Sequence, residues 1–172
     1  MPPKPQITHS MVKELVDIHG LSLTEAAEAL GVSKQLANYH LHNTGPGYIS
    51  PARAARESMP WKDIRPEHIH GATPYARAAW HAEYIATGGE GMSKSKLRYL
   101  RQWYQRLKKY NEVLVYDPAI PPHRGVATGG WDYVPREESD DELLFRANEY
   151  TTVTDETKVD WRLPDEEDWP RE

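Results

Sequence analysis

The stretch Ser22-Leu-Thr-Glu-Ala-Ala-Glu-Ala-Leu-Gly31-Val-Ser33-Lys-Gln-Leu-Ala-Asn-Tyr-His-Leu-His42 decides how the N-terminal part folds. Ser22-x-x-Glu25 is a capping box, in which hydroxyl and carboxylate reciprocally satisfy backbone donors left open at a helix start. Leu23, Ala26, Ala27 and Leu30 recur at helical spacing, and Gly31 supplies the positive φ that stops the helix. Ser33 caps a second helix, predicted to run to about His42. Two helices crossing steeply through a tight turn need a small residue where they touch, a glycine in the turn and aliphatics around it. Ala27, Gly31, Val32 and Ala37 fill those positions, so the spacing is that of a helix-turn-helix.

The second helix then carries Lys34, Asn38 and His42 on one outward row, with Gln35 and Tyr39 on the next. In a major groove, lysine donates to guanine, and Asn or Gln pairs bidentately with adenine. Ser22 and Thr24 open the first helix, where free backbone N–H groups hold phosphate, and Ser33 opens the second. Any three-helix domain with a glycine turn reproduces this spacing, and a polar row is commonly plain solvated surface. The agreement of turn, caps and polar row favours DNA binding. One position dissents: His40 stands where an aliphatic or aromatic residue commonly completes the core, so the small domain is expected to be marginally stable alone.

Outward from this stretch, Ser10 to Ile18 reads as a short helix with Met11, Leu15 and Ile18 as its apolar positions, after a Pro-rich start (1–9) expected to be disordered. Asn43-Thr-Gly-Pro-Gly47 breaks the chain, and Ser50-Pro51 opens a short helix to about Ser58. Residues 59–72 read as a linker, placing the domain boundary there, with Arg53 and Arg56 as further phosphate contacts. Thr73-Pro74 starts the next helix, Gly88-Gly89 ends it, and Ser93 caps a helix from Lys94 to about Tyr110. Its stripe of Leu97, Leu100, Tyr104 and Leu107 faces a partner. Val113–Tyr116 and Trp131–Val134 form a predicted β-ribbon, and Ser139-Asp-Asp-Glu142 a capping box for a helix through Leu143, Leu144 and Ala147. Asp155 to Glu172, acidic and poor in apolar residues, reads as a mobile tail. The expected layout is a helix-turn-helix domain over 10–48, a linker over 49–72, a second helical DNA-binding domain with a small β-ribbon over 73–150, and an acidic tail over 151–172. The fold class is mainly α.

The 172-residue length excludes a large barrel or an elaborated doubly wound sheet. Hydrophobic residues make up 38%, and exchanging ten Tyr for eleven Gly in that count barely alters it; against the roughly 45–50% of a compact domain this predicts small cores. Six Trp and ten Tyr against one Phe suggest rings at wet or half-buried positions. Without cysteine there is no disulfide, thiol catalysis or Cys-based zinc site, and no apolar run or leader segment points to a membrane or export. A cytoplasmic location follows as an expectation.

The net charge of −5 conceals a split. Residues 1–112 hold fifteen Lys/Arg against ten Asp/Glu; residues 113–172 hold six against sixteen. Lys94, Lys96, Arg98, Arg101, Arg106, Lys108 and Lys109 fall within 94–109 with no acidic residue among them. Gly91-Met-Ser-Lys-Ser-Lys is thus a basic helix entered from a glycine turn. Ser93, Lys94, Ser95, Lys96, Arg98 and Arg101 are its candidate DNA contacts. Its place after a helix and before a β-ribbon makes it a second helix-turn-helix-like reader rather than a merely solvated basic face.

Four other patterns lead nowhere. His68-Ile-His-Gly71 with Met92-Ser-Lys-Ser95 imitates synthetase ATP signatures, which require a large parallel sheet. Gly88-Gly-Glu-Gly91 lacks the Gly-Lys step of a phosphate loop. The i, i+2 pairs His40/His42 and His68/His70 diverge on a helix, so no metal is expected. The acidic clusters at 137–142 and 165–168 read as cap and tail rather than a nuclease centre. No cofactor and no small-molecule substrate are expected.

Across most of its length the chain resembles the immunity repressors of temperate actinobacteriophages. The resemblance rests on Gly31-Val-Ser-Lys-Gln35, Tyr39-His40, Met59-Pro60-Trp61, His81-x-Glu83-Tyr84, Met92-Ser93, Gln102-Trp103 and Val113-Leu-Val-Tyr-Asp-Pro118. Gly129-Gly-Trp-Asp-Tyr-Val-Pro-Arg136, Ser139-Asp-Asp-Glu-Leu-Leu144 and Asn148-Glu149 complete it. It implies a repressor that maintains lysogeny and superinfection immunity by blocking an early lytic promoter. It also implies monomeric binding to asymmetric operator and "stoperator" sites on double-stranded DNA through two domains. A twofold dimer would instead demand a palindromic site. A packaging adaptor that forms rings and a directionality factor that bends DNA are the rival readings.

Overall fold

A computed structural model describes residues 6–45 and 49–171. The expected disorder over 1–5 and the chain break at Pro46-Gly47 lie outside the described residues. The chain divides into two compact units, Met1–Ser50 and Pro51–Glu172, and the described part is mainly helical with one two-stranded antiparallel sheet.

In the first unit, α1 (His9–Lys13) is capped by Thr8, whose hydroxyl accepts from the Met11 amide, and it continues as a π-helical turn over Glu14–Ile18. Residues 6–9 therefore depart from the expected disorder: Ile7 packs on the core and Thr8 closes a helix start. The π turn also rotates the apolar stripe. Val12, Leu15 and Val16 turn inward, whereas Met11 and Ile18, expected inside, are 40% and 75% exposed. Both nitrogen–oxygen contacts of the Ser22–Glu25 capping box form ahead of α2 (Leu23–Ala29).

The helix ends in a Schellman arrangement: the Val32 amide donates to the Ala27 carbonyl (3.0 Å) and the Gly31 amide to that of Glu28 (3.1 Å), with Gly31 at φ +68°. After Ser33 comes α3 (Lys34–Asn43). The core is small, as the composition predicts: Val12, Ala27 and Ala37, with Ile7, Val16, Leu23, Leu30, Val32 and Leu41 packed around them. Alanine at the α2–α3 contact lets the two backbones approach.

The second unit holds α4 (Pro51–Glu57), α5 (Thr73–Thr87), α6 (Lys94–Tyr110), β1 (Glu112–Tyr116), β2 (Trp131–Pro135) and α7 (Asp155–Asp160). Gly88 (φ +65°) terminates α5, and Asn111 (φ +49°) ends α6 directly before β1. Val113 pairs with Val134 and Tyr116 with Trp131.

Four expectations need correction here. The boundary falls at Ser50/Pro51, and residues 59–72 are not a linker. Trp61 is buried, the Thr152 amide donates to the Pro60 carbonyl and the Lys62 amide to that of Tyr150, both at 2.8 Å. The helix expected after Ser139 is absent. Glu137 and Asp140 cap a short 3-10 turn (Glu138–Asp140), Asp141 adopts φ +51°, and the chain then extends along β1. There the Leu114 amide donates to the Leu144 carbonyl (2.9 Å) and the Arg146 amide to the Leu114 carbonyl (2.8 Å). Leu143, Leu144 and Phe145 are all buried, which three successive positions on a one-sided helix cannot achieve.

The acidic tail is not mobile but folded. Trp161 and Trp169 enter the core, Pro170 is fully buried, and the Trp161 carbonyl accepts from the Leu144 amide at 2.7 Å. Finally, the tryptophans are not surface rings. All but Trp80 are buried, because most of the polar tips find partners inside: Trp103 Nε1 donates to the Tyr133 hydroxyl (2.9 Å), Trp131 Nε1 to the His68 carbonyl (2.8 Å) and Trp169 Nε1 to the Pro164 carbonyl (2.8 Å).

Candidate nucleic-acid interface

In the first unit every candidate residue lies on the surface: Ser22 and Thr24 at the start of α2, and Ser33, Lys34, Gln35, Asn38, Tyr39 and His42 at or on α3. Ala37 faces inward and is fully buried, and Lys34, Asn38 and His42 lie exposed along the flank of the helix beside it, one turn apart. Tyr39 is 52% exposed. The Ser33 hydroxyl accepts from the Leu36 amide at 3.2 Å, fixing the first turn of α3. His40, the dissenting position, is half-buried: its carbonyl accepts from His9 Nδ1 (2.9 Å) and from the Thr44 hydroxyl (2.8 Å), and its ring meets Tyr39 edge-on at 5.5 Å. At a position where an aliphatic or aromatic side chain commonly completes the core, His40 thus ties α3 to His9 through its backbone carbonyl.

The second unit repeats this local stereochemistry. Gly91 (φ +78°) and Met92 lead to Ser93 (φ −69°, ψ 153°), whose hydroxyl accepts from the Lys96 amide at 3.2 Å; the corresponding Gly31, Val32 and Ser33 (φ −71°, ψ 149°) precede α3. The candidate residues of α6, however, do not share one face. Lys94, Ser95 and Arg98 are exposed. Lys96 leans back onto α5, its Nζ 2.8 Å from Oε2 of Glu83, a carboxylate only 8% exposed. Burying that carboxylate requires a partner, so Lys96 is committed to the fold. Arg101 donates to the Pro170 carbonyl at 3.2 Å and lies 5.8 Å from the Trp169 ring.

Two more basic residues are neutralised at the edges of α6. Lys108 pairs with Glu166, which holds that carboxyl below its ordinary value, and Arg106 reaches Glu112 at 3.4 Å while lying 3.9 Å above the Tyr133 ring. Tyr99 stacks on Trp80 at 6.4 Å, with the Arg77 guanidinium 4.8 Å from both rings and that of Arg98 5.1 Å from Tyr99. Gln102, Gln105 and Lys109, which are not among the candidate contacts read from the sequence, are exposed on the same side as Lys94 and Arg98. Projection opposite the stripe of Leu100, Tyr104 and Leu107 would have found them. Arg53 pairs with Glu57 at 3.7 Å and Arg56 is exposed.

No helix among the described residues is long and apolar enough to cross a membrane. No protein-family model matches the chain. It is 34% identical over 167 residues to the "repressor-like immunity protein" of Mycobacterium phage L5, an alignment covering 95% of this chain and 90% of that protein.

Proposed function

This chain belongs to the family of phage repressor-like immunity proteins, and from that membership we propose that it is a sequence-specific repressor of transcription that binds double-stranded DNA through both of its units. The observation that carries the reading is the pair of serine-capped helices, α3 and α6, each entered from a left-handed glycine and each exposing a polar face without a carboxylate. A polyanion selects against acidic residues on the surface it meets, and amide and basic side chains are those that read base edges.

In this reading α2 and α3 act as a helix-turn-helix. Ser22, Thr24 and Ser33 contact phosphate, and Lys34, Gln35, Asn38, Tyr39 and His42 face the bases. On α6, Lys94, Ser95 and Arg98 engage a neighbouring stretch; Ser93 sets the helix start, and Lys96 and Arg101 hold the helix in place. Arg53 and Arg56 add backbone contacts. The protein acts in the host cytoplasm, without catalysis or cofactor, maintaining lysogeny and superinfection immunity by blocking an early promoter. It binds asymmetric operator and stoperator sites as a monomer.

Selection of bound fragments from the source phage genome at moderate salt tests this. Many short enriched sites sharing one non-palindromic sequence are expected. Retention of all fragments alike, with no enriched sequence, would contradict it.

A further inference from the structure

Helical geometry, at about 100° per residue, sorts the side chains of α6 into sectors. Leu100, Trp103, Tyr104 and Leu107 define the buried side. One edge beside it is occupied by Arg101 and Lys108, held by the Pro170 carbonyl and Glu166; the other by Tyr99 and Arg106, held by Trp80, Tyr133 and Glu112. Between these edges a sector of about 100° remains. It carries Lys94, Ser95, Arg98, Gln102, Gln105 and Lys109, all exposed. It contains no acidic and no large aliphatic side chain, and the side chains of Gln102 and Gln105, midway along its length, have no hydrogen-bond partner among the described residues.

A solvated helix face of this length ordinarily mixes charges of both signs, because i, i+4 pairs support it. Here the carboxylates stand only at the edges, where they bind Lys108 and Arg106, and the centre is left basic and amide-bearing. That arrangement complements a phosphate-walled groove with base edges at its floor. From Lys94 to Lys109 the helix rises about 22 Å, the length of about six base pairs.

We infer that α6 lies along a major groove with Gln102 and Gln105 as its base-reading residues, each pairing bidentately with an adenine, while Lys94 and Lys109 meet phosphates at the two ends. The two glutamines are separated by a rise of about 4.5 Å, so they address adjacent base pairs. This deepens the reading of α6 as a DNA-binding helix and rests on it. It moves the specificity-determining positions from the first two turns of the helix to its middle.

The test is selection from a random duplex pool with the full-length protein and its Gln102→Ala and Gln105→Ala variants, each checked for an unchanged thermal melt. The wild-type chain should enrich a motif containing two adjacent positions with adenine preference. Each variant should lose that preference about tenfold or more at one of the two, and keep the rest of the motif. A motif identical in all three proteins would overturn the inference and leave the repressor reading standing. Failure of the wild-type chain to enrich any motif would remove both.

Discussion

At the scale of single residues, His81 is the most constrained titratable group. It is fully buried, with Nδ1 2.6 Å from the Tyr104 hydroxyl and Nε2 donating to the Asp160 carbonyl at 2.7 Å, between the rings of Trp103 and Trp161. Burial pushes its pKa down to about 4. The unfolded chain, with a histidine near the ordinary value of about 6.5, binds more protons between these limits, so the folded protein's stability is complete above about pH 6.5 and declines as pH falls towards about 4. The loss amounts to about 3 kcal/mol. Urea midpoints measured from pH 7 to pH 4 should show it, and His81→Gln, with no group to titrate, should flatten the profile; an equal slope in both proteins would refute the assignment.

A second single-residue device pins the segment after β2. Arg146 forks onto Asp140 (Nε–Oδ1 3.0 Å, Nη2–Oδ2 2.8 Å), and Asp140 also accepts from the Glu137 amide. Burial alone would raise the Asp140 carboxyl, but the Arg146 bonds and the Glu137 amide outweigh it and hold the pKa below its ordinary value. Asp140→Ala removes the fork but leaves Arg146 bonded to the Pro135 carbonyl (2.9 Å) and paired with Glu137 (3.5 Å), and should lower unfolding free energy by about 2 kcal/mol in chemical denaturation; a change under about 0.5 kcal/mol would show the fork to be incidental.

At the scale of elements, the caps carry most of what the sequence disclosed. Ser22/Glu25, Gly31, Ser33, Gly88 and Ser93 act through local geometry, so α2, α3, α5 and α6 start and stop close to where these residues place them. Gly31→Ala would force a Cβ into φ +68°, costing about 1 kcal/mol, and a thermal melt should drop accordingly. What stayed hidden depends on distant partners. The π turn after α1 packs on α2 while α1 packs on α3, neighbours that the local sequence does not name. Ser139-Asp-Asp-Glu142 is a sound local helix signal, overridden because Leu143, Leu144 and Phe145 gain more by lying between β1 and Trp161. For the candidate interface, the α3 row was legible because one buried alanine orients a short helix. The α6 set was only half legible, since the density of positive charge says nothing about which lysines are already paired.

Beyond single elements, the acidic C-terminal region seen in the charge count belongs to the same folded unit as the basic helix α6 rather than trailing from it as a tail. Low apolar content at 155–172 suggested mobility, but two tryptophans and a buried proline suffice to dock the segment. Truncation after Tyr150 removes Trp161 and Trp169 and should abolish the cooperative thermal transition of the second unit. Trp169→Ala alone should cost about 3 kcal/mol. An unchanged melt on truncation would mean that the segment is only loosely attached.

The proposed function has one chain reading one asymmetric stretch of duplex with two dissimilar helices. It is tested most directly by light scattering coupled to size exclusion on the complex with a selected duplex, combined with a footprint of both strands. One 19.7 kDa chain per site is expected, with two adjacent protected blocks that differ in sequence, one lost on Asn38→Ala and the other on Gln102→Ala. Two chains bound to twofold-related half-sites would contradict it.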